Sequence, residues 1–315
     1  MILINSKSVV AVMTTAFLSL SSTSVIANES GIDVPDFLKS FLNENNLATR
    51  GSFSTSFESV GEFAPFYVVP FNHNNTATHG LSQEKSVSGN TSHKAWMYGE
   101  NPQVEGLNTN HRAYPTFQLS ETNLGIVKTA VLVEFSVWAD IDLLPVEDKS
   151  WFSLATFTSY DDIQWYRTYL INVDSDYKVH LMHVPAQGAT APDIFHDSKI
   201  SLPEKQWSKI TAYIDYSTNN RFDSPIIAVW QDGTLVAESR FNDRADPANI
   251  PPERVPECLN GWDKRDVAEA EEMCSLKYEG GLSQMHFGLY TPPLLSHGVI
   301  YNDDLSVTEI IKTNP

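Results

Sequence analysis

Val229-Trp230-Gln231-Asp232-Gly233-Thr234-Leu235-Val236 reads as two strands folded about a two-residue turn. Asp232-Gly233 supplies the positive φ angles of a tight hairpin, and apolar residues alternate on both sides of it. The same grammar extends outward along the chain. β-Favouring runs at 114–119, 130–139, 151–158, 167–173, 178–184, 207–216, 226–231, 234–240, 285–290 and 299–307 are separated by turn residues. Short strands punctuated in this way predict an all-β fold, a two-sheet antiparallel jelly-roll sandwich. No repeat of roughly 20–50 residues is present, which sets propellers and solenoids aside.

Three segments depart from this pattern. In 31–48, Val34, Phe37, Leu38, Phe41 and Leu42 recur at helical spacing behind Asp33 as a cap, which predicts an N-terminal helix strapped onto the sandwich. Residues 73–92 are rich in Asn, Ser, Thr and Gly and read as loop, with a strand expected at 66–71 before them. Residues 242–282 are Pro-rich, carry a short helix at 263–274 and hold both cysteines, Cys258 and Cys274. This is an insertion at the sandwich rim, either a lid or decoration. An even cysteine count in an exported chain favours a disulfide between the two, with free thiols as the alternative.

Export is expected from the N-terminus. Lys7 precedes an apolar and small-residue stretch at 9–20, and Val25-Ile26-Ala27 ends a Ser-rich segment, the pattern of a signal peptide over 1–27. A membrane anchor needs about 20 consecutive apolar residues, and Thr14, Thr15 and Ser19 break this stretch. The expected organisation is therefore a signal peptide (1–27), a helix, first strand and loop (28–92), and 93–315 completing one jelly-roll domain. A secreted, extracellular or periplasmic monomer without a membrane partner follows. The formal charge of −18 argues against nucleic acid, which requires a basic patch. It leaves open an anionic polymer held in a locally basic groove.

Because side chains alternate across a strand, faces can be assigned. In 110–119, Pro115, Phe117 and Leu119 share one face, leaving Asn110, Arg112, Tyr114, Thr116 and Gln118 on the other. In 178–184, Val179 and Leu181 point to the core, opposite Lys178, His180 and Met182. In 285–290, Met285, Phe287 and Leu289 go inward while His286, Gly288 and Tyr290 go outward. Ordinary solvated faces favour Lys, Glu, Ser and Thr over His and Tyr. The three outward sets, as neighbours, would build a floor of cations, amides and rings. His111 and His183 read as structural, and Trp138 and Trp230 as core.

His93-Lys94-Ala95-Trp96, Asn110-His111-Arg112-Ala113-Tyr114-Pro115-Thr116, Val179-His180-Leu181-Met182-His183 and His286-Phe287-Gly288-Leu289-Tyr290 resemble the conserved blocks of jelly-roll polysaccharide lyases. That group has a concanavalin A-like sandwich and includes alginate, glucuronan and heparin lyases. The resemblance spans roughly 60–310 and implies an anionic polysaccharide such as alginate or glucuronan as partner, cleaved by β-elimination. It implies that Arg112, His180 and Tyr290 assemble the site. Lys178 stands where alginate lyases carry Gln, so Gln118 or Asn110 would supply the amide. It also implies a structural Ca2+ held by Asp303 in Tyr301-Asn302-Asp303-Asp304, with a solvated turn as the alternative; catalysis itself requires no cofactor.

The chemistry explains the residue types. β-Elimination removes the carbon-5 proton of a uronic acid, which is weakly acidic until its carboxylate is neutralised. Arg112, with Asn110 or Gln118, would stabilise the growing charge. Neutral His180 is suited to take the proton. Tyr290 would protonate the leaving oxygen, or serve as both base and acid in a syn geometry. Asn110, Tyr114, Lys94, His93, Trp96, Lys178 and His286 are candidate substrate contacts, Trp96 as a stacking ring. Two other classes compete. A glycoside hydrolase needs two flanking carboxylates, and Asp140 and Asp142 alternate but follow a strand's end. A lectin-like module needs platforms but no His and Tyr pair.

Overall fold

The computed structural model describes residues 36–63, 71–73, 76–99, 110–143, 150–160, 165–184, 193–195, 198–216, 226–240, 281–292 and 295–313. The expected signal peptide, the expected cap at Asp33, residues 66–70 of the expected first strand and residues 242–280 of the expected insertion, with Cys258 and Cys274, lie outside them. No helix among the described residues is long and apolar enough to cross a membrane.

After helix α1 (Asp36–Glu44), the strands run β1 Leu47–Thr55, β2 Phe71–His73, β3 Ala77–Ser82, β4 Ser92–Met97, β5 His111–Tyr114, β6 Thr116–Gln118, β7 Ala130–Leu143 and β8 Trp151–Tyr160. They continue with β9 Trp165–Asp174, β10 Val179–Val184, β11 Asp193–Phe195, β12 Trp207–Asp215, β13 Ile226–Gln231, β14 Thr234–Arg240, β15 Gln284–Thr291 and β16 Leu295–Lys312. They form two antiparallel sheets. The front sheet has the order β11-β10-β9-β8-β15-β5-β2, with β6 also on β15. The back sheet has the order β14-β13-β12-β7-β16-β4-β3, with β1 also on β16. This is the expected sandwich.

Period-2 alternation builds the core between the sheets. Val131, Val133, Phe135, Val137, Ala139 and Ile141 of β7 meet Tyr169, Ile171 and Val173 of β9 and Met285, Phe287 and Leu289 of β15 in one buried cluster. Each large side chain buried there contributes about 1.5–3 kcal/mol. The far face of the back sheet is closed by α1, whose Leu38 and Leu42 pack on Leu132, Tyr213, Trp230 and Ile310. Phe41 sits edge-on to both Tyr213 and Trp230, with centroids 5.1 Å apart in each case. The N-terminal strap is therefore as its periodicity implied.

The hairpin joins β13 to β14 with Asp232 at φ 48° and Gly233 at φ 80°. Two expectations need correction. Residues 77–82, read as loop, are β3, an edge strand whose residues after Ala77 are only partly buried. It exists because β4 pairs with it, a non-local cause that composition does not reveal. The expected single strand at 114–119 is two strands, since Pro115 has no N–H to donate to the ladder.

Gly288 also departs from expectation. Phe287 pairs with Ala155 and Tyr290 with Ser153, so β15 carries one extra residue here. Gly288 adopts φ +106°, and an added Cβ would sit 2.6 Å from the Ala113 carbonyl oxygen and face His93 and Ala95, inward rather than outward. The bulge sets how Tyr290 leaves the strand. Gly288→Ala should lower the unfolding free energy by more than about 1 kcal/mol, read by denaturant titration.

Candidate functional site

Residues directly opposite one another in antiparallel strands share a face. One row therefore crosses the outward face of the front sheet: Arg112, Tyr290, Ser153, Asn172 and His180, on β5, β15, β8, β9 and β10. A second row is Thr116, His286, Thr156, Leu170 and Met182. A third is Gln118, Gln284, Thr158 and Thr168. Asn172, Ser153 and His180 are only 0, 2 and 4 % exposed, although they are polar and point away from the core. Such a face is neither an apolar core nor an ordinary solvated surface.

The first row is densest at Tyr290. Arg112 Nη2 donates to its hydroxyl oxygen at 3.2 Å, and Asn110 Nδ2 donates to the same atom at 3.3 Å. The guanidinium carbon lies 4.7 Å from the Tyr290 ring centroid, a cation–π geometry. Tyr114 stacks on Tyr290 with centroids 4.8 Å apart and planes 7° from parallel, while Trp151 meets it edge-on at 5.1 Å. These side chains face outward because His111, Ala113 and Pro115, the alternate residues, are buried. His111 is fixed there by Thr76 Oγ1, 2.8 Å from its Nδ1, the structural role expected of it.

Electrostatics follow from this crowding. Burial works against the Arg112 charge, but the Tyr114 and Tyr290 oxygens more than offset it and raise its pKa. Burial pushes the Tyr114 hydroxyl up to about 12, against the pull of Arg112, so it stays a phenol. His286 Nδ1 lies 3.0 Å from Thr116 Oγ1, and its ring packs 4.9 Å from Tyr114. Burial, then the Arg112 charge, brings its imidazole down to about 4, so it is neutral at physiological pH.

Of the expected site residues, Arg112, Tyr290, Asn110, Tyr114 and His286 come together. His180 shares their row and face, but β8 and β9 stand between its strand and β15. Three strand spacings, about 14 Å along the sheet, separate its backbone from that of Tyr290. Gln118 lies six residues along the strand from Arg112, about 20 Å, so Asn110 is the amide at Tyr290. Lys178 flanks the β9–β10 turn, where it bridges Ser201. The side chain of His183 is outside the described residues.

His93, Lys94 and Trp96 do not join this face, because β4 belongs to the back sheet. His93 is buried between the sheets, 5.2 Å from the Phe287 ring and 3.2 Å from His79 Nδ1. Lys94 pairs with Glu84 at 2.7 Å and lies over Trp96 at 5.3 Å. Asp303 is fully buried and accepts backbone N–H groups from Val87 (2.7 Å), Ser88 (3.3 Å) and Asp304 (2.8 Å). No three acidic, His or Cys side chains converge among the described residues. The Asp303 carboxyl group holds the backbone of Val87 and Ser88 against β16.

Sequence reasoning missed Asn172, Ser153 and Trp151. A signal was present in β9, where Asn172 interrupts the apolar run between Ile171 and Val173.

No family model matches the chain, and no curated protein matches it. Among solved structures it is similar to an endo-β-1,4-glucuronan lyase from the fungus Trichoderma reesei, at 12% identity over 83% of this chain and 96% of that one, with a TM-score of 0.47. It is also similar to an alginate lyase from Chlorella virus, at 12% identity over 73% and 88%, with a TM-score of 0.47. A third likeness is to the globular domain of T. cruzi calreticulin, at 13% identity over 81% and 86%, with a TM-score of 0.44.

Proposed function

We propose that this chain is an exported lyase that cleaves a uronic-acid-containing polysaccharide by β-elimination, with Tyr290 as the proton-transferring group. The observation that carries the reading is the Tyr290 hydroxyl oxygen, which receives N–H donors from Arg112 and Asn110 on a polar, largely buried sheet face. Those donors stabilise the oxygen while it lacks its proton. In that state it takes the proton from carbon 5 of a bound uronate. The Arg112 guanidinium, held beside Tyr290, neutralises the substrate carboxylate into which the electron pair spreads. The carbon-4–oxygen bond then breaks, a double bond forms between carbons 4 and 5, and the leaving oxygen takes the proton back from Tyr290. One group serves as base and acid, because the His180 backbone is about 14 Å away.

Hydrolysis is the weaker reading. It needs two carboxylates flanking the bond, and the alternating Asp140 and Asp142 lie on β7 of the back sheet, where Asp140 pairs with Lys205 at 3.2 Å and His297 at 3.4 Å. Incubation with alginate, glucuronan and mixed uronate polymers should generate the ultraviolet absorbance of the new double bond. Reducing ends without that absorbance would mean hydrolysis, and binding without either would mean a lectin-like module.

His180→Ala should lower kcat by less than about tenfold, well short of the loss expected on removing the group that transfers the proton. Initial rates at saturating polymer decide this. A loss equal to that of Tyr290→Phe would return the base role to His180.

A further inference from the structure

Gly288 leaves a gap that Tyr114 fills. Leu289 pairs with Ala113 and His286 with Thr116, so Gly288 stands opposite Tyr114 in the register of β15 with β5 and β6. A side chain at that position would occupy the outward space between Tyr290 and His286. Gly288 has none, and its φ of +106° directs even an added Cβ inward, toward the Ala113 carbonyl, His93 and Ala95. The Tyr114 ring takes the space instead. Its centroid lies 4.8 Å from that of Tyr290, with the planes 7° from parallel, and 4.9 Å from that of His286, with the planes tilted by 54°. Thr116 Oγ1 holds the far ring, 3.0 Å from His286 Nδ1. Thr116, His286, Tyr114 and Tyr290 thus form one continuous row of contacts.

The row constrains what the hydrogen bonds leave open. Arg112 and Asn110 fix the Tyr290 oxygen, but not the plane of its ring, because the oxygen lies on the axis about which the ring turns and that torsion is soft. A phenol O–H, and the lone pair that replaces it, lie in the ring plane. The plane therefore decides the direction in which the proton is taken up and delivered, and alignment of that kind is a large part of catalysis. The parallel stack on Tyr114 and the edge contact with Trp151 define that plane. Tyr114 does not exchange the proton itself, since burial pushes its hydroxyl up to about 12 and keeps it a phenol.

We propose that Tyr114 is a positioning residue for the elimination: its ring, braced by His286 and Thr116, sets the plane of the Tyr290 phenol and so the direction of proton transfer. The proposal rests on the lyase reading and extends it to a residue that acts through Tyr290.

The test is a pair of Tyr114 substitutions, each made in the wild type and in Tyr290→Phe, with initial rates on the best polyuronate read from the absorbance of the new double bond. Tyr114→Leu removes the ring and should lower kcat about thirtyfold, with the Michaelis constant within about threefold of the wild type. Tyr114→Phe restores the stacking ring and should recover kcat to within about threefold. In the Tyr290→Phe background, Tyr114→Leu should cost less than about threefold, because the oxygen whose direction the ring sets is already gone. Tyr114→Val, whose branched side chain suits a strand, gives the same comparison where circular dichroism shows that the Leu variant does not fold. Equal losses in the two backgrounds, or a raised Michaelis constant with kcat kept, would make Tyr114 a structural residue or a sugar contact and overturn the proposal. A wild-type protein that forms no unsaturated product from any polyuronate would overturn the lyase reading and this inference together, and would be seen before Tyr114 is touched.

Discussion

Replacing Tyr290 by Phe should reduce turnover about a thousandfold while leaving the fold and the Michaelis constant close to those of the wild type. The substitution removes one oxygen and nothing else. Stacking on Tyr114, the edge contact with Trp151 and the guanidinium above the ring all involve the ring rather than the hydroxyl. Positioned proton transfer contributes about 10²–10⁴-fold, and the variant loses it in both directions if Tyr290 serves as base and acid. Arg112→Lys sharpens the interpretation. Lysine keeps the charge but cannot place one donor on the Tyr290 oxygen and a planar pair on a carboxylate, so about a hundredfold loss is expected. Steady-state rates on the best polymer, with circular dichroism as the folding control, provide the comparison. A Tyr290→Phe enzyme within tenfold of wild-type kcat would remove Tyr290 from the chemistry, whatever the substrate.

The parts of this site that were legible in the sequence are those that depend on nearest neighbours. Alternation in 110–119 and 285–290 put Arg112, Tyr114, His286 and Tyr290 on outward faces, and all four are there. The same alternation runs through His93-Lys94-Ala95-Trp96, yet that strand joins the other sheet. Pairing with β16 rather than β15 is decided by contacts some 200 residues away in the chain, and no local pattern encodes it. Distance along the row was equally hidden. The face of His180 was correctly assigned, but two intervening strands, β8 and β9, are inserted by topology. Gly288 shows the finer limit: alternation assigned it outward, whereas its positive φ and the extra residue in β15 turn it inward and re-aim Tyr290. The Asp-Gly hairpin was fully legible because a turn of that type specifies its own geometry.

Acidification should destabilise this protein steeply between about pH 6.5 and about pH 4. Burial holds His79 and His286 down to about 4 and His93 well below its ordinary range, and it lowers His111 as well. These imidazoles are neutral in the folded chain at pH 7, whereas in the unfolded chain they titrate near 6.5. Below that value the unfolded state binds protons that the folded state refuses, so stability is lost as pH falls until the folded groups themselves protonate. A gap of two and a half units corresponds to about 3 kcal/mol at its limit. His79 and His286 together would therefore remove a large share of the roughly 5–15 kcal/mol that holds a typical domain. Asp303 acts in the opposite direction, because burial raises its carboxyl and its protonation favours the folded state, but one modestly shifted acid does not offset several buried imidazoles. The expected record is a thermal midpoint that falls by well over 10 °C between about pH 7 and about pH 4.5. In His79→Gln, which keeps a polar group beside His93 but does not titrate, the fall should be visibly shallower. A midpoint that stays flat to about pH 5 in the wild type would mean that these histidines open to water or find acidic partners before they charge.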